Sequence, residues 1–294
     1  MLLLTGATGL VGSTVLGRLL AQGEQVRCLV RDPRRLGSQR VRVQIALGDL
    51  TDPPSFRNAL RGVHTVVHLA AAIRDQPRGS IEELNGIATW RMVEAAERRG
   101  VERFVFFSAL GASNHHRTRL LRAKAHAEKA VRESSLRTIV FAPSIVYAPG
   151  DPWLTLMERL AWLPVMPVTG RGRAEFQPIW AEDVADCVIA GLSRTPTEQH
   201  TRYELAGPDT LTHSEIVTTA LRAWSRNRPL AHIPTPLVSR GLRLLALAMG
   251  TRTPATWDEA ELLEVSMKSA RGAADVRGLG VTPQPMEVVL GATA

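Results

Sequence analysis

Six short apolar runs punctuate the first half of the chain. They are residues 2–5 (LLLT), 24–30 (EQVRCLV), 41–47 (VRVQIAL), 64–70 (HTVVHLA), 103–109 (RFVFFSA) and 137–143 (RTIVFAP). Each has strand length and is rich in β-branched or aromatic residues. Nearly unbroken apolarity predicts strands buried on both faces. Between them lie longer stretches with apolar residues every three or four positions, which predict helices. One covers residues 11–23 and closes at Gly23. The next covers 80–100, opens on Ser80-x-x-Glu83 and closes at Gly100. A third covers 119–135. Regular strand–helix alternation with short joins predicts an α/β protein, a doubly wound parallel sheet with helices on both faces.

After about residue 145 the rhythm changes. FQPI (176–179) and RYELAG (202–207) predict short strands. Residues 181–194, 212–226, 236–250 and 256–265 predict helices, the second with Thr212 as N-cap and Glu215 at the third helical position. The expected organisation is a core over residues 1–145. Residues 146–294 return some elements to the sheet and form a small C-terminal α/β lobe. Glu182 and Asp183 sit where carboxylates favour a helix start, not as an acid/base pair. Trp153, Leu154, Leu156, Met157, Leu160, Trp162, Leu163 and Met166 offer either an apolar pocket for a small hydrophobic molecule or plain lobe packing.

Charge alters this picture little. The chain has 36 Lys and Arg against 28 Asp and Glu, a net charge of +8, and only three of the cations are lysines. The arginines are scattered and no aromatic ladder separates them, which argues for a solvated basic surface rather than a nucleic-acid partner. Cys28 and Cys187 are far apart with no CxxC, so no metal or redox site is expected, and a reducing, cytoplasmic location is the default. MLLLTG is too short for the apolar core of a leader, and no apolar run is long enough to span a bilayer. PLVSRGLRLLALAMG (236–250), with arginines among leucines, leaves peripheral membrane contact open.

The first strand runs into Thr5-Gly6-Ala7-Thr8-Gly9-Leu10-Val11-Gly12, and a helix follows. A G-x-x-G-x-x-G strand-to-helix turn suits a dinucleotide. Gly6 makes the sharp turn, Gly9 lets backbone approach a pyrophosphate, and Gly12 packs helix on strand. The helix N-terminus through Thr8, Leu10 and Val11 offers amides to the anion. The second strand ends in Arg31-Asp32, with Arg34 and Arg35 behind. A guanidinium at this place favours the 2′-phosphate of NADP, although Asp32 leaves NAD open.

The TGATGLVG turn, GDL with Asp49, HLAAA (68–72), FFSALGA with Ser108, FAPSIVYAPGD and FQPIWAEDVADCV together resemble the extended or atypical short-chain dehydrogenase/reductases. TPATWDEAELLEV and LGVTPQPMEVVLG resemble a narrower branch, the NmrA-like proteins and the nucleotide-binding accessory subunit of respiratory complex I. The resemblance covers nearly the whole chain. It implies a Rossmann fold binding a nicotinamide dinucleotide. It implies that Asp49 and Leu50 border the adenine and that Ala70, Ala71 and Ala72 line the path to the nicotinamide ribose. Pro143 to Val146, including Ile145, would stand beside the nicotinamide.

That family works with a Tyr-x-x-x-Lys pair on the helix after the fifth strand, plus a serine at the strand end. Residues four apart share a helix face, and the lysine both holds the cofactor ribose and lowers the phenol's pKa. This chain keeps Ser108 and Lys124 but has Leu120 at the tyrosine place. Its tyrosines, Tyr147 and Tyr203, have no lysine four residues on. Three readings follow. The chain is an NADP-dependent oxidoreductase on a hydrophobic carbonyl or quinone-like substrate, with His115, His116 or Tyr147 as a replacement donor. Alternatively it is a non-catalytic NADP(H) sensor or respiratory-complex-related assembly factor, with Lys124 kept for the ribose. Or Lys124 is a surface lysine paired with Glu128.

Overall fold

The computed structural model describes residues 1–194, 198–250, 253 and 255–292. Seven strands form one parallel sheet: β1 (Leu2–Thr5), β2 (Val26–Val30), β3 (Gln44–Leu47), β4 (Thr65–His68), β5 (Arg103–Phe107), β6 (Arg137–Pro143) and β7 (His200–Leu205). Their order is β7-β6-β5-β4-β1-β2-β3. The chain builds outwards from β1 through β2 to β3, then returns to lay β4 on the other side of β1. This reversal between β1 and β4 opens a crevice at the carboxyl ends of the strands.

Helices cover both faces, as the apolar periodicity predicts. On one face α1 (Leu10–Ala21) packs beside the helix Ala181–Ser193. Leu16, Leu19, Val67, Phe141, Val184 and Val188 fill that layer. On the other face α2 (Ala88–Arg98) and α3 (Arg119–Arg132) bury Met92, Ala127 and Val131 against Phe104 and Phe106. A third core in the second half joins Leu154, Met157, Met166, Phe176, Ile216 and Leu221. Those three named residues of the 153–166 stretch are thus core, whereas Trp162 and Leu163 are exposed.

Local departures from the expected elements have physical causes. Only the last part of 41–47 is extended. Residues 33–42 wind into 3-10 turns started by Asp32, whose side chain accepts from the Arg34 N–H, and Val41 is left exposed. β3 is an edge strand, so it is not buried on both faces, and Leu47 is 63% exposed. In the 80–100 stretch Ser80 Oγ accepts from the Glu83 N–H at 3.2 Å, and residues 83–87 form a π turn that sets Gly86 against Ala123. FQPI splits into two short pieces. Glu175–Phe176 pairs antiparallel with Leu211–Thr212, and Ile179–Trp180 pairs parallel with Val146–Tyr147. Thr212 and Glu215 complete a reciprocal capping box, and Glu182 and Asp183 open their helix as expected.

Candidate functional site

The β1/β4 crevice is a groove of about 670 Å³. Gly6, Thr8 and Gly9 line it from the first turn, Arg31 from the end of β2, and Asp49 with Leu50 from the end of β3. Ala70, Ala71 and Ala72 line it from the end of β4. Gly6 has φ +74°, and a Cβ there would lie 2.6 Å from the Ala70 amide nitrogen. A Cβ on Gly12 would lie 2.0 Å from the Gly6 carbonyl oxygen. These two glycines therefore let the turn, α1 and the loop after β4 close on one another. Gly9, the α1 N-cap, faces the groove. The first turn of α1 has no side-chain cap and no acidic residue. Its free amides and dipole are left for an anion, so the cradle fits a diphosphate.

The outer end of the groove is cationic. Arg31, Arg35 and Arg78 all line it. Arg31 Nη1 donates to Gln76 Oε1 at 3.2 Å, which bridges β2 to the loop at 76–78. Asp32 also lines the groove, but its Oδ1 is taken by the Arg34 N–H at 3.0 Å. Asp49 Oδ1 accepts from the Thr51 N–H at 3.1 Å and its hydroxyl at 2.9 Å. Burial works against its charge, but the Thr51 bonds with Arg31 and Arg78 hold its carboxyl below the usual range.

A buried polar chain fixes the floor. Thr89 Oγ1 donates to the Asn85 carbonyl at 2.7 Å, so it must accept from His68 Nε2–H at 3.2 Å. His68 Nδ1 then accepts from the Thr5 hydroxyl at 2.9 Å, which leaves Thr5 Oγ1 to accept from the Ala70 N–H at 3.3 Å. Asn85 Oδ1 accepts from the Ala72 N–H at 3.2 Å and its Nδ2 donates back to the Ala72 carbonyl at 2.7 Å. The loop lining the groove is thus held at both ends. Burial first, and then the charge of Lys124, push His68 down to about 3, so it is neutral. Sequence reasoning missed Thr5, His68, Asn85 and Thr89. The polar residues interrupting apolar runs were the available signal.

The remaining predicted residues do not line this groove. Lys124 is 4% exposed, so it does not lie on the wet face of α3. Its Nζ donates to the Phe107 carbonyl at 2.6 Å and stands 5.0 Å from the Phe106 ring centroid. Burial pushes its pKa down to about 8, against the pull of Glu128. Glu128 itself pairs with Arg202 at 3.4 Å. Ser108, next in chain to Phe107, is buried, and its Oγ has no hydrogen-bond partner among the described residues. Pro143 ends β6, and its carbonyl accepts from the Leu110 N–H at 2.9 Å. Ile145 packs against the second-half core and Val11 against the α1 layer. Leu10 is exposed on the first turn of α1.

The NAD(P)H-binding family matches residues 6–158, more than half of the chain. The chain belongs to this NAD(P)H-binding family. Over 235 residues it is 30% identical to the mitochondrial "NADH dehydrogenase [ubiquinone] 1 alpha subcomplex subunit 9" of Arabidopsis thaliana, spanning 75% of this chain and 58% of that protein. Over 257 residues it is 28% identical to a ceramide reductase of Caulobacter vibrioides, spanning 86% of this chain and 80% of that one. Among solved structures, the NADPH-dependent quinone oxidoreductase of Escherichia coli complexed with NADPH superposes with a TM-score of 0.77 at 16% identity. That match spans 100% of this chain and 99% of that one, and it shows the shared Rossmann-type fold.

In this NAD(P)H-binding chain the three residues weighed as replacement donors sit in different surroundings. Tyr147 is fully buried, its hydroxyl has no hydrogen-bond partner among the described residues, and burial pushes its pKa well above the ordinary phenol range. His115 is exposed on the β5–α3 connection. His116 Nδ1 bonds the Thr118 hydroxyl at 3.0 Å, and burial lowers its pKa. Both cysteines are free and buried, and burial pushes each thiol up to about 12, so neither is poised to react. Among the described residues no helix is long and apolar enough to cross a membrane.

Proposed function

We propose that the protein is an NADP(H)-dependent oxidoreductase acting on a hydrophobic carbonyl or quinone-like substrate without the usual tyrosine. The observation that carries this reading is the pairing of a buried cation with an unsatisfied hydroxyl at one strand end. Lys124 Nζ bonds the Phe107 carbonyl at 2.6 Å, and the adjoining Ser108 Oγ lacks a partner among the described residues. Gly6, Thr8, Gly9 and the amides of Leu10, Val11 and Gly12 hold the pyrophosphate. Arg31 takes the 2′-phosphate, and Asp49 and Leu50 flank the adenine. Ala70, Ala71 and Ala72 border the ribose, with Pro143 and Ile145 beyond.

Nicotinamide, when bound, supplies the hydride that reduces a carbonyl carbon. Ser108 Oγ, the unpartnered hydroxyl buried at the end of β5, donates a hydrogen bond to the carbonyl oxygen once the entering substrate opens access to it, and so draws charge onto it. The Lys124 ammonium supplies positive charge behind the serine, where a developing alkoxide needs it. Water delivers the proton in place of a phenol. General acid help is typically worth about 10²–10⁴-fold, so this enzyme is slow rather than inert.

The test is NADPH oxidation against panels of apolar ketones and quinones, with Lys124→Ala beside the unmodified protein. Turnover above the blank, reduced at least about tenfold in the variant, supports the reading. A second reading, a non-catalytic NADP(H) sensor or assembly factor, is favoured by Leu120 at the tyrosine place and by the inaccessibility of Tyr147. It prevails if no substrate consumes NADPH while calorimetry shows the dinucleotide bound.

A further inference from the structure

The helix Thr235–Met249 leaves leucines in water along one side. Leu237 is 57% exposed, Leu244 67% and Leu247 84%. At about 100° per residue, Leu237, Gly241, Leu244 and Ala248 share one face, with Arg240 and Leu247 on its flank. Val238, Leu242 and Leu245 lie on the opposite, half-buried face, and the helix packs against the short helix Trp257–Leu262. The Arg243 guanidinium stacks over Trp257 at 5.0 Å, which fixes the two helices together.

Charge in this region has one sign. From Ile216 to Trp257 the sequence has no Asp or Glu, while Arg222, Arg226, Arg228, Arg240, Arg243 and Arg252 fall within it. Arg240 and Arg243 are exposed beside the leucine face. We propose that this helix docks the protein flat onto an anionic lipid bilayer. The leucines enter the boundary between headgroups and acyl chains, and the arginines, whose long stems reach back out, pair with lipid phosphates.

The charge pattern sets this occupant apart from two others. A second copy of the chain would press the exposed Arg240 and Arg243 beside the leucine face against their own kind. A nucleic acid would satisfy the arginines but leave the leucines wet. An anionic bilayer satisfies both. The docked helix is also tied to the rest of the fold, because its partner helix anchors Glu259 to Arg74 at 2.8 Å and brings Asp258 within 3.6 Å of Arg119. The proposal stands whether or not the protein turns over.

The experiment is co-sedimentation of the full chain with vesicles of phosphatidylcholine alone and of an equimolar mixture with phosphatidylglycerol. Partitioning at least about tenfold stronger onto the anionic vesicles is expected, falling steeply with salt. The double variant Leu244→Glu/Leu247→Glu should lose about tenfold or more of that binding. Arg240→Gln, which leaves the Arg243–Trp257 stack in place, should weaken binding to the anionic vesicles and reduce its salt dependence. NADP(H) binding measured by calorimetry shows that each variant is folded. Should the leucine variant not fold, the arginine variant and the salt series carry the test. Equal partitioning onto both vesicles, or none onto either, overturns the proposal. So does a shift from dimer to monomer in the leucine variant, which would make a second copy the cover of this face.

Discussion

The Lys124 ammonium donates to the Phe107 carbonyl at 2.6 Å inside the layer between α3 and the sheet. The rare lysine of the sequence is therefore a buried cation one peptide from Ser108, and its burial has a measurable consequence. Its pKa falls from 10.5 in the unfolded chain to about 8 in the fold. A depressed lysine leaves the unfolded state holding more protons between those values. Stability is thus lost as pH falls from 10.5 to 8 and is flat below. The cost is about 1.4 kcal/mol per pH unit within the window. Chemical unfolding of the protein and of Lys124→Met across that range checks it. The unmodified protein should gain on the variant as pH rises, and a constant difference would contradict the buried cation.

His68 should be neutral, with its proton on Nε2, because the chain of hydroxyls from Thr89 to Thr5 admits one direction only. Its folded value of about 3, below the ordinary 6.5, means that stability is present above pH 6.5 and is lost as pH falls towards 3. Long-range proton–nitrogen correlation spectra at neutral pH would show the tautomer. A ring that gains charge near pH 6.5 in the folded state would refute the network.

Gly12→Ala should abolish dinucleotide binding. Its new Cβ would sit 2.0 Å from the Gly6 carbonyl oxygen, so the turn must move away from α1. Overpacking of this kind costs about 1–3 kcal/mol. Calorimetry with NADP should find no heat from a variant that thermal unfolding shows to be folded but weakened.

Arg31→Ala should weaken NADP about tenfold or more and NAD hardly at all, since only the former carries the extra phosphate. Arg31 now bonds Gln76 at 3.2 Å, a contact the 2′-phosphate would replace. Equal weakening of both coenzymes would show that Arg31 shapes the groove without reading the phosphate.

Asp258→Asn should stabilise the protein at neutral pH. Burial raises this carboxyl from 3.8 to about 6, with Arg119 pulling the other way. A raised acid costs stability as pH climbs from 3.8 to 6 and keeps that cost above. Thermal unfolding should show the variant's advantage at pH 7 and little at pH 4, a pH chosen near the unfolded value of 3.8.

Read residue by residue, the chain announced its parallel sheet, the helices on both faces, and the glycine turn lining the groove. These are local matters: strand-length apolar runs, helical spacing, and a backbone that only glycine can bring so close. The same locality explains Arg31, which follows its strand by one residue. Three-dimensional packing decided what no local pattern could. It placed Lys124 under the sheet although a helix repeat cannot say which layer covers a given face, and it buried Tyr147, which follows the sixth apolar run. It also joined Thr5, His68, Thr89 and Asn85, residues from four separate elements, into one hydrogen-bonded floor. Burial and the direction of a hydrogen bond depend on what arrives from elsewhere in the chain, and that is fixed only when the fold closes.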